Sequence, residues 1–199
     1  FNIPNYYDDW KKMIDNHNFD LICIATPTDL HAPISIYALE NGCHVLAEKP
    51  TAMNENEARK MLNTAVKNNK LHMIDHELRF NPNRKKIKDL ISANKLGKIQ
   101  HVNITNISNG WLDPSSRPED DWWSLSERGG GRMGANGSHQ IDLLRWWFGE
   151  VKSVFGQSLT IVKDRTDKKS NNRWIATADD LSYFSLEMVN GILANVFIS

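Results

Sequence analysis

Asp20-Leu-Ile-Cys-Ile-Ala25, an apolar run of strand length, determines how the first part of this chain is expected to fold. Thr26-Pro27-Thr28 ends the run. Continuous apolar runs of this length are typical of parallel strands that are covered on both faces, whereas strands with one solvated face alternate between apolar and polar residues. We therefore expect a buried strand of a parallel sheet here.

The flanking sequence alternates between helical and strand-like segments at close spacing. Before the run, Tyr7, Trp10, Met13 and Ile14 recur at helical spacing and predict a helix from Tyr6 to Asn16. After it we expect a helix over about 30–40 that stops at Asn41-Gly42, a strand over 44–47, a helix ending near Asn69, and a strand over 71–74. This order predicts right-handed crossovers and a parallel α/β sheet.

The pattern changes in the second half of the chain. We expect a helix over 83–94 with a stop at Gly97, followed by a weakly alternating antiparallel strand over 99–107 and a loop over 109–128. A helix capped by Asn136 or Ser138 is expected to run to about Phe148. The remaining expected elements are strands over 151–162, 181–189 and 192–198. Asn190-Gly191 between the last two strands is a hairpin signal. We therefore predict a parallel α/β domain over residues 1–80 and an α+β domain with a large, mostly antiparallel open sheet over residues 81–199.

Composition excludes several classes of function. The 24 basic and 24 acidic residues give a net charge of zero, so bulk charge supports neither nucleic acid nor an anionic membrane as a partner. No apolar run is long enough to cross a bilayer, and the first four residues do not resemble a signal peptide. Cys23 and Cys43 lie in apolar runs, so we expect buried free thiols, a cytoplasmic location, and neither a disulfide framework nor a metal site.

Two turns at the carboxyl ends of the predicted parallel strands are candidates for binding a ligand. The first is Thr26-Pro27-Thr28-Asp29-Leu30-His31, where small polar residues let a flat ligand approach the backbone. The second is Glu48-Lys49-Pro50, where a Lys in a partly dry cleft beside a cationic nicotinamide ring can acquire a pKa suited to proton transfer. The alternatives are an ordinary strand-to-helix connection for the first and a surface ion pair for the second.

A third candidate is the glycine-rich stretch that leads into the helix containing His139. Five glycines within Gly129–Gly137 allow close approach of another backbone or a ligand. His139 in the first helical turn would be kept neutral by the positive helix terminus, as a general base requires. Asp142 lies three residues later on the same face of the predicted helix, so His139 and Asp142 could bind a hydroxylated substrate together. The alternative is a glycine-rich loop with a capping His.

Together these motifs resemble the Gfo/Idh/MocA oxidoreductase family over nearly the whole chain. The matching residues, in order, are Ile22-Cys-Ile-Ala-Thr-Pro27 with His31, Gly42-Cys-His-Val-Leu-Ala-Glu-Lys-Pro50, Arg79-Phe-Asn-Pro82, Leu96-Gly-Lys-Ile99, Gly129-Gly-Gly131, and Gly137-Ser-His139 with Ile141-Asp142. The resemblance implies a Rossmann-type domain for NAD or NADP, and a second domain whose open sheet covers the substrate and mediates assembly into a dimer or tetramer.

The resemblance also implies roles for individual residues. Lys49 matches a position that touches nicotinamide and substrate, His139 the usual proton acceptor or donor, and Asp142 a position that binds a substrate hydroxyl. The positions that match the cofactor lining are Thr26, Pro27, Thr28, His31, Glu48 and Pro50. Asn136 and Trp123 are expected to contact the substrate, since Asn136 lies beside His139 and tryptophans of the 109–128 loop can roof the cleft.

The sequence departs from the family pattern at two points. The dinucleotide fingerprint and the acidic residue that reads the ribose are not in the chain and are expected upstream of Phe1, so we expect the parallel part to be the second half of its domain. Family dehydrogenases often have an Asp four residues before the active-site His, and here that residue is Ala135. Asn136 or an acid from elsewhere in the chain is the candidate replacement.

The leading hypothesis is an NAD(P)-dependent oxidoreductase that acts on a hydroxyl or carbonyl of a sugar, polyol or related small molecule. Lys49 and His139 would be the catalytic pair. Ala135 leaves two alternatives open: a non-catalytic or regulatory cofactor-binding protein of the same fold, and a branch that uses NAD to cleave glycosides. A structural or oligomerisation module, suggested by Trp111, Trp122 and Trp123, is a further alternative.

Overall fold

The chain folds as two units, one ending at Asp75 and the other beginning at His76. The computed structural model describes residues 3–199. The predicted domain boundary after residue 80 stays a prediction.

The first unit is built on a three-stranded parallel sheet, as the sequence predicts. Its strands are β1 (Leu21–Ile24), β2 (His44–Glu48) and β3 (His72–Asp75), in that order across the sheet. Its helices are α1 (Trp10–Asp15), α2 (His31–Glu40) and α3 (Glu55–Lys67). Parallel strands need crossover connections, and α2 and α3 supply them. The chain leaves α2 through Gly42, whose φ of +84° is the left-handed stop that Asn41-Gly42 predicts.

The core of this unit lies on one face of the sheet, which corrects two expectations. Ile22, Ile24, Val45 and Ala47 pack against residues from all three helices. Leu21 is 49% exposed and Cys23 is exposed, so β1 is not covered on both faces among the described residues and the prediction of a buried Cys23 is wrong. The apolar run alone does not reveal this, because it contains apolar residues on both sides of the strand. Cys43 is buried, and burial raises the pKa of its thiol.

The first helix is shorter than predicted. It begins at Trp10 instead of Tyr6, because Asp9 adopts an extended conformation and its carboxylate accepts a hydrogen bond from the backbone N–H of Lys11 at 2.8 Å. Tyr6 and Tyr7 lie outside the helix and are exposed. The helical spacing of Tyr7 and Trp10 therefore led to a predicted helix that begins before the actual N-cap, Asp9.

The second unit is built on a four-stranded mixed sheet of order β4-β9-β8-β5. Its strands are β4 (His101–Asn106), β5 (Val151–Leu159), β8 (Leu181–Met188) and β9 (Leu193–Ile198). Strands β5, β8 and β9 pair antiparallel, and the predicted Asn190-Gly191 hairpin joins β8 to β9. Strand β4 pairs parallel with β9, so its predicted antiparallel role is wrong. Alternation reports which face of a strand is buried but carries no information on its direction.

The sheet buries one face and leaves the other open. Leu144 and partly buried residues of the glycine-rich segment and β4 pack on the buried face, which is formed by Phe184, Leu186, Ala194 and Val196. The helices are α4 (Pro82–Ser92) and α5 (Ser138–Phe148). A second hairpin, β6 (Asp164–Thr166) and β7 (Arg173–Ile175), was not predicted from the sequence. Each of its strands has only three residues, too few for a recognisable alternation.

The helix that contains His139 begins differently from the prediction. A π-helical turn, Met133–Gly137, runs without interruption into α5, and neither Asn136 nor Ser138 caps it. The Ser138 hydroxyl instead donates to the Gly134 carbonyl at 2.6 Å. His139 therefore lies inside a continuous helical segment, and the expected effect of a positive helix terminus on its imidazole is lost.

None of the helices within residues 3–199 is both long and apolar enough to span a bilayer.

Candidate functional site

In the first unit, the candidate residues lie at the carboxyl ends of β1 and β2. His31, at the start of α2, joins the two turns: its Nδ1 lies 2.8 Å from the Pro50 carbonyl oxygen and its Nε2 lies 3.0 Å from the Thr26 carbonyl oxygen. The His31 side chain is 1% exposed. His31 therefore connects the two turns that follow β1 and β2, which we call the rim of the sheet (residues 26–31 and 48–50). The sequence did not predict this structural contribution.

Lys49 is held close to the strand that precedes it. Its side chain is 14% exposed, and its Nζ lies 4.0 Å from Glu48 Oε2. The same oxygen accepts a hydrogen bond from the Lys49 backbone N–H at 3.1 Å. The Lys49–Pro50 peptide bond is cis. The ion pair considered from the sequence is therefore present, but the Lys49 side chain is largely buried.

The carboxyl ends of β1 and β2 present polar side chains that a ligand could contact. Ligands of open α/β sheets bind outside the carboxyl ends of the strands, where Thr26, Glu48 and Lys49 lie. The hydroxyl oxygen of Thr26 is buried and has no hydrogen-bond partner among residues 3–199. A polar group with donors and acceptors, such as a carboxamide, would satisfy it. Thr28, by contrast, is 1% exposed and packs into the interior.

In the second unit, His139 and Asp142 lie together on α5, as their spacing predicts. Both are buried, at 8% exposure each. A short charged segment that precedes α4 reaches both of them. We call this segment, residues 76–80, the charged turn; its residues Glu77–Phe80 form a single 3₁₀ turn.

Arg79 of the charged turn holds Asp142 through two parallel hydrogen bonds. Its Nε donates to Asp142 Oδ2 at 2.7 Å, and its Nη2 donates to Oδ1 at 2.6 Å. This forked geometry is the strongest arrangement between a guanidinium and a carboxylate. The hydrogen bonds to Asp142 raise the pKa of Arg79 above its ordinary value. The pair fixes the orientation of the Asp142 carboxylate and leaves lone pairs of both oxygens available for a substrate hydroxyl.

Glu77 and His76 of the same turn lie beside His139. Glu77 Oε1 is 3.6 Å from His139 Nε2, and the Glu77 side chain is 53% exposed. The His76 ring makes an edge contact with the His139 ring, with centroids 6.1 Å apart, and His76 Nε2 lies 3.9 Å from Asp142 Oδ1. Two histidines and two carboxylates therefore meet around one face of α5.

The glycine-rich segment before α5 is required by close backbone packing. A Cβ atom on Gly130 would lie 2.4 Å from the Trp123 carbonyl oxygen and 2.5 Å from that of Trp122. Gly131 has a φ of +113°, and a Cβ there would lie 2.1 Å from Asp179 Oδ1. Asp179 Oδ2 accepts a hydrogen bond from the Met133 backbone N–H at 2.7 Å. The glycines thus approach protein atoms, and they set the start of the helix that contains His139.

The remaining predicted residues have different surroundings. Trp123 stacks on Trp122, with ring centroids 4.2 Å apart, and both are half-buried. Asn136 lies in the π-helical turn and is half-buried. Trp111 is 8% exposed and packs beneath the Arg117 guanidinium, 4.9 Å from the ring centroid, so it is an interior residue of its unit.

An apolar cavity of the second unit is lined by other residues. It has a volume of about 380 Å³ and is lined by Ile107, Ser108, Asn109, Trp111, Leu112, Ile161, Val162, Asp180, Leu181 and Ser199. None of the residues predicted for the site lines it. His139, Asp142 and the charged turn do not line this cavity, and we place the candidate site of the second unit with those residues and not with the cavity.

No sequence pattern placed His76 or Glu77 beside His139 and Asp142. Arg79 stood in a quoted family motif without a role. The available signal was their position directly after β3, at the carboxyl end of a parallel strand, where charged residues favour ligand binding over core packing.

Comparisons with known proteins agree with this architecture. The description "Oxidoreductase family, NAD-binding Rossmann fold" matches residues 1–76, and "GFO/IDH/MocA C-terminal domain" matches residues 85–199. The levoglucosan dehydrogenase of Pseudarthrobacter phenanthrenivorans is 32% identical over 165 residues, which cover 83% of this chain and 42% of that protein. An α-N-acetylgalactosaminidase of Bacteroides fragilis is 32% identical over 95 residues, which cover 48% of this chain and 22% of that protein.

A solved structure has the same fold over almost the entire chain. The structure of a levoglucosan dehydrogenase in complex with NADH and L-sorbose superposes with a TM-score of 0.88 at 28% identity, covering 96% of this chain and 51% of that one. The chain spans about half the length of the relatives it matches, 52% of one and 42% of another. The matches to both halves of the chain agree with its two units, and the chain belongs to the Gfo/Idh/MocA family of NAD-binding oxidoreductases.

Proposed function

We propose that this protein catalyses NAD(P)-dependent oxidation of a hydroxyl group on a sugar, a polyol or a related small molecule, and the reverse reduction. The observation that carries the proposal is the grouping of buried His139 and Asp142 on α5, each beside a charged residue of the charged turn. A buried imidazole near carboxylates is suited to accept a proton. The similarity to levoglucosan dehydrogenase supports a sugar-like substrate.

In this proposal His139 is the proton acceptor. Oxidation of an alcohol removes a proton from the hydroxyl and a hydride from the carbon that bears it, and a carbonyl group is formed. His139 takes the hydroxyl proton and becomes an imidazolium. A bound nicotinamide cofactor, NAD or NADP, supplies the acceptor for the hydride. In the reductive direction the imidazolium returns its proton to the alkoxide oxygen.

Lys49 and Asp142 have complementary roles in the proposal. The Lys49 ammonium group stabilises negative charge on the reacting oxygen, because a largely buried cation is little screened by water. Asp142, with its orientation fixed by Arg79, accepts a hydrogen bond from a neighbouring substrate hydroxyl. Asn136 and the stacked Trp123 are proposed substrate contacts, and Thr26, Pro27, Thr28, His31, Glu48 and Pro50 are proposed to form or support the cofactor rim.

Glycoside cleavage through transient oxidation is the second candidate. Ala135 motivates it, because the family's usual Asp is missing, and so does the similarity to an α-N-acetylgalactosaminidase. This reaction consumes no net NAD, since the hydride returns to the sugar. Release of an aglycone without net accumulation of reduced cofactor would identify it.

The direct test is a substrate panel with the intact protein. Reduced cofactor is followed by its absorbance while levoglucosan, glucosides and polyols are supplied with NAD or with NADP, and chromogenic glycosides are tested in parallel. Turnover with at least one sugar or polyol is expected. Normal cofactor binding without turnover of any of these compounds would contradict an oxidoreductase and favour the non-catalytic alternative.

We also propose a homo-oligomer, a dimer or a tetramer, that forms through the open face of the mixed sheet. This face carries Phe155, Tyr183, Leu193 and Phe197, which are between 36% and 73% exposed. Large apolar side chains grouped on one open sheet face are typical of a protein interface.

A further inference from the structure

We infer that Glu77 replaces the missing acidic partner of His139 and is a positioning residue for the proposed reaction. The inference rests on the proposed role of His139 as proton acceptor. It adds a residue that the sequence did not single out, on a turn that lies 58 positions before Ala135 in the chain.

The Glu77 carboxylate lies close to the His139 ring. Residue 135 is Ala and supplies no carboxylate, yet a carboxylate lies at the imidazole: Glu77 Oε1 is 3.6 Å from His139 Nε2. A small movement of the exposed Glu77 side chain would shorten this contact to a charge-assisted hydrogen bond, and contacts of this kind often tighten when substrate binds.

The charged turn contacts both His139 and Asp142 of α5. Arg79 fixes Asp142 with two hydrogen bonds, and Glu77 faces His139 two residues earlier on the same 3₁₀ turn. The forked Arg79–Asp142 pair anchors this turn to α5, so the position of Glu77 relative to His139 is fixed by a strong contact and does not depend on Glu77 alone.

The charge of Glu77 and its exposure to solvent both suit a partner of His139. When His139 accepts a proton, the ionised Glu77 stabilises the imidazolium, because an opposite charge at this distance favours the charged form. His139 is 9% exposed in its side chain, whereas Glu77 is 53% exposed. Glu77 therefore lies beside the buried imidazole while about half of its side chain is exposed to solvent, so it offers the proton a route out of the site after oxidation.

The test must also separate Glu77 from other titratable groups near His139. Among these are His76, whose ring contacts the His139 ring edge-on, and Asp142, which lies three residues later on α5 and is paired with Arg79. None of these groups changes when only Glu77 is substituted.

The test compares Glu77→Gln, Glu77→Asp and the control Glu150→Gln in the intact protein. Glu150 is a matched control because it is also an exposed carboxylate with a cationic partner, Arg145, at the far end of α5. We expect kcat/KM of Glu77→Gln to fall about tenfold or more. The acid limb of its pH profile should move to lower pH, since the imidazolium loses a favourable charge. Glu77→Asp should recover part of both changes, and Glu150→Gln should match the wild type.

Two results would overturn the inference. One is a Glu77→Gln variant with wild-type kcat/KM and pH profile. The other is a loss of activity with an unchanged pH profile and no recovery in Glu77→Asp, which would indicate a merely structural role.

A second readout separates this inference from the proposed function. Titration of the His139 ring by NMR needs no turnover, and its midpoint should fall in Glu77→Gln but not in Glu150→Gln. If the wild type oxidises no substrate but this midpoint shifts, the proposed function fails and the pairing of Glu77 with His139 stands. If the midpoint does not shift, the pairing fails whatever the activity.

Discussion

Arg79 and Asp142 show how strongly a single contact can define a functional side chain. Asp142 is 9% exposed in its side chain, so both its stability and its orientation depend on the guanidinium that faces it. Removing one partner of a largely buried charged pair leaves the other without compensation. The Arg79 side chain is 42% exposed, which limits the effect because water can reach part of the pair.

We predict that Arg79→Ala lowers the free energy of unfolding by about 1.5–3 kcal/mol, the range for a lost hydrogen bond to a charged group. It should also raise KM for the sugar, because the Asp142 carboxylate is no longer oriented. Denaturant titration and steady-state kinetics measure the two effects. Arg79→Lys should restore little, since an ammonium group cannot reproduce the fork.

Arg145→Ala is the matched control for this variant. Arg145 also donates through its guanidinium to one carboxylate, that of Glu150, but the two side chains are 49% and 69% exposed. We expect a loss below about 1 kcal/mol and unchanged kinetics. Equal losses in the two variants would show that burial of Asp142 contributes nothing.

At the scale of single residues, the sequence predicts some residues of the candidate site and misses others. The spacing of His139 and Asp142 places them on one helical face, and the structure agrees. Glu77 is invisible to such reasoning, because 62 residues separate it from His139 and only tertiary folding brings them together. That His31 lines the cofactor stays a prediction; its two contacts with the carbonyl oxygens of Thr26 and Pro50 join the two turns, and no local pattern predicts such a connection.

The loop before α5 is the element on which the geometry of His139 depends. Its glycines contact the backbone of the preceding 3₁₀ turn (Trp122–Ser124) and the Asp179 carboxylate, and the chain then enters the π-helical turn. Substitutions here should therefore act on stability and on the direction in which α5 begins, without touching a reacting group.

We predict that Gly130→Ala destabilises the protein by about 1–3 kcal/mol, because its Cβ would overlap two backbone carbonyl oxygens that cannot move independently. Gly110→Ala, in the same long connection between β4 and α5, is the control. A Cβ at Gly110 meets no atom within 4 Å, so we expect a change between neutral and a gain of about 0.4–1 kcal/mol. Thermal or denaturant unfolding of both variants distinguishes them. An unaffected Gly130→Ala variant would contradict the close approach.

The positions of the longer helices and strands were predictable from the sequence. The irregular turn before α5 and the direction in which β4 pairs were not. Helix α3 and the β8–β9 hairpin follow from periodicity and from Asn190-Gly191. The π-helical turn and the parallel pairing of β4 with β9 do not. Both depend on which segments meet in space, and a local pattern of apolar residues does not contain that information.

For the molecule as a whole, the mixed sheet has one face that residues 3–199 leave open, with large apolar side chains on it. We predict that Phe155→Glu reduces the assembly to a smaller species, because a charge buried in an interface is costly. Light scattering after size-exclusion chromatography measures the mass. Val66→Glu on α3 is the control, since Val66 is 72% exposed and lies in the other unit. A protein that stays a monomer in the wild type would contradict the proposed oligomer.

The central claim is that His139 accepts the substrate proton in an NAD(P)-dependent oxidation. The most direct measurement is kcat/KM for oxidation of the best sugar or polyol by the wild type and by His139→Asn, with cofactor binding measured by fluorescence in both proteins. The account predicts a loss of about 100- to 10,000-fold in kcat/KM with unchanged cofactor affinity. A variant that binds the cofactor normally and oxidises the substrate at the wild-type rate would contradict it.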